Sequence, residues 1–150
     1  MTKSVELREI TAETVRTVTS LAVTFEQQTY VAPNAVSISQ AYFEPHAWFR
    51  AIAADGELVG FVMVYRDAAK SEFYVWRFMI DARHQGHGYG RRAMELLLEE
   101  ARSDGATEVT LSVVPGEHSA YAFYARLGFE ETGKIENGEV EMRLGLADPG

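Results

Sequence analysis

Six residues, Gln85-Gly86-His87-Gly88-Tyr89-Gly90, carry the clearest chemical signal in the chain. Three glycines at alternate positions let the backbone curl and approach a ligand closely, without Cβ clashes. An apolar, extended run from Phe73 to Ile80 leads in through Asp81, and a helical pattern from Arg91 to Ser103 leads out. N–H groups in a first helical turn lack intrahelical partners, and the helix dipole places partial positive charge there. A strand, a turn poor in side chains and a helix N-terminus therefore make an anion site, suited to a pyrophosphate. A Walker A loop would end in Gly-Lys-Ser/Thr and a dinucleotide fingerprint would read G-x-G-x-x-G. Neither is present, and the pattern is Q-x-x-G-x-G. Taken alone, six residues also fit a glycine-rich turn with no ligand.

Other reactive side chains lie close by. His84 and His87 are three apart, but they flank glycines and have no third ligand nearby in sequence, so no metal site is expected. Phosphate contact by His87 fits the loop better. Trp76-Arg77 interrupts an apolar strand. Arg77 either pairs with an acidic core partner or faces an acceptor site.

The length, 150 residues, suits one domain over 1–150 with a real core. A hydrophobic fraction of 47% and a charged fraction of 24% are those of a soluble globular chain. With no cysteine, disulfides and thiolate metal sites are excluded. No apolar run reaches the roughly 20 residues of a membrane span, and Met1-Thr2-Lys3-Ser4-Val5-Glu6 lacks a signal-peptide core. The expected setting is cytoplasmic, with no membrane partner. A net charge of −8 argues against nucleic acid, which needs a basic face, and is compatible with a cationic substrate.

These residues need elements to position them. Val5–Ile10 alternates as a strand, and Thr11–Phe25 keeps helical spacing. Gln27–Asn34 reads as a loop, and Ser37–Tyr42 as a short helix stopped before Pro45. Strands follow at Trp48–Ala54, Leu58–Tyr65 and Ser71–Ile80, the first two joined by an Asp55-Gly56 turn, with Gly60 easing a bend. After the glycine loop come the helix to Ser103 with Gly105 as C-cap, a strand at Glu108–Val114, a helix at His118–Leu127, and a hairpin, Phe129–Ile135 with Val140–Leu144, across Asn137-Gly138. The order predicts an α/β fold with a mixed sheet of about seven strands. Residues Ala147–Gly150 read as a frayed end.

The glycine loop resembles the acetyl-coenzyme A motif of the GNAT acetyltransferase superfamily. A second stretch, Ala120 to Phe129, matches the family signature A-x-x-F-Y-x-x-L-G-F. The resemblance spans about half of the chain and implies the GNAT fold, in which two parallel strands splay and the pantetheine arm of the coenzyme enters the gap. It implies acetyl-coenzyme A as acetyl donor, with no metal. Phe78, Met79 and Ile80 would border the arm, and a backbone N–H near Met79–Ile80, where the strand bulges, would face the thioester oxygen. Gln85, Gly86, His87, Gly88, Tyr89 and Gly90 would hold the pyrophosphate, assisted by the charge of Arg91. Phe123 would line the site, and Arg126 would either reach the nucleotide or stay solvated. Glu117 stands where the family often has asparagine, seven residues before Tyr124, which puts the usual side-chain bond to the arm in doubt. Tyr124 itself is implied as proton donor to the departing thiolate. A thiol ionises near about pH 8.5 and a tyrosine near about 10, so the transfer is reasonable. For the base, Glu72 and Glu26 are the candidates.

The resemblance implies a small-molecule amine as the expected acceptor. Phe25–Asn34 with Ser37 and Ala41-Tyr42, Trp76–Asp81, and Gly138–Leu144 are similar to bacterial spermine/spermidine acetyltransferases. On that resemblance Glu26, Tyr30, Tyr42 and Trp76 would contact a polyamine. Acetylation of another amine (an antibiotic amino group, a protein N-terminus or lysine) and a non-catalytic coenzyme A sensor are the alternatives. The final hairpin could also present an edge for a homodimer.

Overall fold

A computed structural model describes residues 3–146; the frayed end expected at Ala147–Gly150 lies outside them. The elements are β1 (Val5–Arg8), α1 (Val15–Ser20), α2 (Asn34–Ala41), β2 (Ala47–Ala54), β3 (Glu57–Asp67), β4 (Glu72–Ile80), α3 (Tyr89–Ser103), β5 (Glu108–Val113), α4 (Tyr121–Leu127), β6 (Glu130–Glu136) and β7 (Glu139–Gly145). The seven strands form one mixed sheet in the order β1-β2-β3-β4-β5-β7-β6. Its pairings are antiparallel except β4 with β5, which is parallel.

Period-2 alternation sends side chains to two faces, and each face has its own core. Val109, Leu111, Val140 and Met142 join Ala93, Met94, Leu97 and Ala101 of α3 and Tyr124 of α4 on one face. Burial of Met94 and Leu97 stabilises this layer by about 1.5–3 kcal/mol each. On the other face, Phe61, Met63 and Met79 pack with Val18 and Leu21, and with Ile38 and Ala41 of α2. Helices therefore cover both faces. The second pair, α1 and α2, packs on β2 to β4 and leaves the outer face of β5 and β7 open.

Several boundaries differ from those read in sequence. The helix expected over Thr11–Phe25 is confined to Val15–Ser20. Its Val and Thr residues are weak helix formers, and Leu21 turns extended (ψ 135°) where the Ala22 N–H is taken by Asp81. The next helix starts earlier than Ser37, at Asn34 behind Pro33. The helix expected from His118 starts at Tyr121, whose N–H is accepted by Ser119 Oγ at 3.1 Å. The close of α3 follows its sequence: Gly105 takes φ +79° and the Ala106 N–H reaches back to the Ala101 carbonyl at 3.0 Å.

One irregularity shapes the site. Across β3 and β4, Met63 pairs with Arg77 and Val64 with Val75, which leaves Trp76 as an extra residue, a β-bulge. The expected bulge near Met79–Ile80 is thus three to four residues too late. The ladder is regular there, with Phe61 opposite Met79 and Gly60 opposite Ile80. The bulge reverses the alternation, so Phe78 and Ile80 share the core of Phe73 and Val75. The parallel ladder also ends here: β4 pairs with β5 at Tyr74–Thr110 and Val75–Leu111 and nowhere beyond.

Gly60 serves close approach rather than a bend. A Cβ there would lie 2.4 Å from the Met79 carbonyl oxygen, a backbone atom that cannot turn aside. Gly60→Ala should therefore destabilise the protein by about 1–3 kcal/mol, read from denaturant unfolding.

Candidate active site

β4 ends at Asp81, whose buried carboxylate accepts from the Ala22 N–H (2.9 Å), the Arg83 N–H (3.2 Å) and Arg83 Nε (2.9 Å). Burial pushes this carboxyl up, but the donors outweigh it and hold it below the usual carboxylate range. The Ala82 N–H donates to the Ala22 carbonyl at 2.8 Å. The chain leaving α1 is thereby pinned to the chain leaving β4. Gln85 adds a second pin: its amide donates to the Ile80 carbonyl and to Gln27 Oε1, both at 2.9 Å. The Gln85 side chain thus faces protein groups, and the loop backbone is what remains for a ligand.

Gly86 and Gly88 both take φ +82°, where a side chain would be strained. Gly88 caps α3, and the N–H groups of Tyr89, Gly90 and Arg91 begin the helix without intrahelical acceptors. Gly90 lets this turn meet α4, since a Cβ there would lie 3.2 Å from Phe123 Cζ. Phe123 in turn stacks on Phe78, with centroids 5.9 Å apart.

Between these parts runs a cleft of about 490 Å³. Phe78, Met79, Ile80, Gln85, Gly86, Gly88, Tyr89, Gly90, Arg91, Phe123 and Arg126 line it. So do Val23, Gln27, Tyr30, Val31, His84 and His118, of which only Tyr30 and His84 were weighed in sequence, and neither for this cleft. No Asp or Glu lines it, while His84, Arg91, His118 and Arg126 do, in a chain of net charge −8. The cleft fits a polyanion with an apolar arm.

A second groove, about 690 Å³, opens on the uncovered outer face of β4, β5 and β7. Glu44, Glu72, Glu108, Glu136, Glu139 and Glu141 line it, against one cation, Lys134. Tyr65, Tyr74 and Trp76 supply aromatic walls. The groove was not visible from sequence, although the alternation Glu139-Val140-Glu141-Met142 carries the sign that two carboxylates share a face.

Several residues singled out in sequence are not brought to either cavity. Glu26 is exposed on the 3-10 turn Phe25–Gln27. Tyr42 is 85% exposed, stacked edge-on against Phe43. Glu117 and His87 are exposed outside the cleft lining, His87 against the Tyr89 ring. Tyr30, expected beside the acceptor, lines the basic cleft, with its hydroxyl against Gly116. Glu72 and Trp76 line the acidic groove. Tyr124 is buried behind the cleft wall, its ring edge-on to Phe78 (6.5 Å) and Phe123 (5.4 Å). Burial, with a smaller effect of Tyr74, pushes its phenol well above the ordinary range, so it stays protonated near neutrality. Among the described residues, no group of three His, Asp or Glu is placed to hold a metal, and no helix is long and apolar enough to cross a membrane.

Because the Asp81 carboxyl is held below its unfolded value, its contribution is present above about pH 4 and is lost as pH falls through the folded value. Asp81→Asn should lower stability at pH 7 by about 1–3 kcal/mol and flatten the acid limb of a melting-temperature profile.

Residues 13–129 match the model of the acetyltransferase (GNAT) family. The chain is 28% identical over 151 residues to the spermine/spermidine N(1)-acetyltransferase of Bacillus subtilis, covering 93% of this chain and 97% of that protein. It is 26% identical over 114 residues to N-acetyltransferase family 8 member 2 of Rattus norvegicus, covering 73% of this chain but only 50% of the rat protein. In fold it is similar to the crystal structure of the PaiA N-acetyltransferase from Thermoplasma acidophilum in complex with coenzyme A (TM-score 0.73, 18% identity, 95% of this chain and 99% of that one). With the family model matched over most of its length, and with splayed parallel strands beside a glycine-turned helix N-terminus, the chain belongs to the acetyltransferase (GNAT) family.

Proposed function

We propose that the protein is a cytoplasmic enzyme that moves an acetyl group from acetyl-coenzyme A to a primary amine of a polyamine such as spermidine or spermine. The observation that carries this reading is the sorting of charge between two cavities bordering one strand. Basic side chains line the cleft on one side, and six glutamates with three aromatic rings line the groove on the other. An elongated polycation suits carboxylates spaced along a groove and aromatic faces between them. The similarity to the Bacillus subtilis enzyme, over nearly the full length of both chains, supports the same acceptor class.

Acetyl-coenzyme A supplies the acetyl group as an activated thioester. On this chain, the N–H groups of Tyr89, Gly90 and Arg91 and the charges of Arg91 and Arg126 would hold its phosphates. The backbone of β4 beyond Val75 has no partner on β5, so its free N–H groups can bind the pantetheine arm and orient the thioester carbonyl. Glu72, on the groove wall, would take the ammonium proton, either directly or through water. A primary ammonium ionises near about pH 10.4, so the free amine is scarce at neutrality and this step matters. Tyr124, protonated and buried at Phe78, holds the proton for the leaving thiolate.

Thiol release with acetyl-coenzyme A and a panel of amines tests the assignment: spermidine and spermine should outpace free lysine and aminoglycosides by about tenfold or more in kcat/KM. Equal rates across the panel would overturn it. Raising salt should raise KM for polyamines, because exposed carboxylates are screened. Tyr124→Phe should cut kcat by about a hundredfold and leave the coenzyme A Kd within about twofold, by calorimetry.

A further inference from the structure

Beyond its exposed first position, β4 carries one charged residue, Arg77, and the reaction just described leaves it without a role. The bulge sets Trp76 and Arg77 side by side. Arg77 lies opposite Met63, so it points to the same face as the Trp76 ring, toward α2. The guanidinium folds back on its own strand. Nη1 donates to the Trp76 carbonyl at 2.9 Å, and Nη2 reaches Gln40 Oε1 on α2 at 3.3 Å. Nε is buried with no hydrogen-bond partner.

Leaving a charged donor buried and unpaired is costly. A methionine would fill the same volume without that cost, so packing alone does not account for an arginine here. The bond to Trp76 does. A bulge inserts a residue that the neighbouring ladder cannot pair, and a long side chain carrying several donors can supply the missing bond. Val75, immediately before the bulge, is also the last residue of β4 paired to β5. The point where Arg77 grips the strand is thus the point where the sheet opens.

We infer that Arg77 is a positioning residue: by donating to the Trp76 carbonyl it fixes the bulge, and the bulge fixes where β4 leaves β5 and how the N–H groups beyond it face the gap. Arg77 itself lines neither cavity. Its kinetic consequence rests on the acetyl-transfer reading, whereas its structural consequence does not.

The test compares Arg77→Met, Arg77→Lys and Gln40→Ala with wild type. The readouts are amide hydrogen exchange of the β4 peptide, the coenzyme A Kd, and kcat and KM for acetyl-coenzyme A and the best amine of the panel. Arg77→Met should speed exchange at residues 76–78 by about tenfold or more. It should lower kcat by about tenfold or more while KM for the amine stays within about twofold. Arg77→Lys, which keeps one donor for the Trp76 carbonyl, should recover most of both, and Gln40→Ala should match wild type. Unchanged exchange in Arg77→Met overturns the inference, as does a lower amine KM at unchanged kcat, which would make Arg77 a charge acting on the acceptor. If the methionine variant does not melt cooperatively, the lysine variant decides. Exchange between wild type and unfolded supports the role, and wild-type exchange with a lowered kcat overturns it. The exchange readout needs no acceptor, so failure of the polyamine assignment leaves this test standing.

Discussion

A buried backbone N–H or carbonyl must find a partner, and β4 meets that rule on one side only. Toward β3 it is paired along its length except at the Trp76 bulge, whereas toward β5 it is paired at Tyr74 and Val75 and then abandoned. A strand edge left open inside a folded sheet is a standing demand for hydrogen bonds, and the surrounding architecture is arranged about it. The bulge at Trp76 opens the edge. Gly60 lets β3 lie close enough to keep the far side of β4 in register. Gly90 lets the start of α3 close against Phe123, so the gap acquires a wall without being filled.

Electrostatics divides the rest. The acidic residues of the chain are not spread evenly: none lines the cleft at the head of α3, whereas six glutamates line the groove beside β4, β5 and β7. Two oppositely charged ligands can then approach one strand from different sides without competing for the same residues. The segment Thr24–Val31 belongs to the first of these cavities because Asp81 and the Gln27–Gln85 amide pair tie it there. That tie explains why Tyr30 and Gln27 face the basic cleft and Glu26 faces solvent.

Local signals were legible in the sequence wherever one residue type is demanded by backbone geometry. The glycine loop, the Gly105 cap and the Asn137-Gly138 turn (Asn137 φ +52°, Gly138 φ +78°) all follow from such rules. The Trp76-Arg77 oddity was visible too, but its meaning was not, because a bulge depends on the count of residues in the partner strand. The acidic groove was illegible for a different reason. Glu44, Glu72, Glu108 and Glu141 lie far apart in sequence, and they gather only because α1 and α2 stop short of β5. Tyr42 was picked on the resemblance of its segment to known acetyltransferases, and it stands exposed at the end of α2. The length of α1 was misjudged because apolar spacing persists through Leu21, where a tertiary bond to Asp81 overrides it.

On β5 and β7 the residues alternate strictly: Val109, Leu111, Val113, Val140 and Met142 build one core, while Glu108, Thr110, Ser112, Glu139 and Glu141 form the open groove. Neighbours along these strands thus answer to separate physical demands, packing on one face and solvent on the other. Outward positions can be exchanged without reshaping the hydrophobic layer. Variation in this fold should accordingly accumulate with a two-residue rhythm.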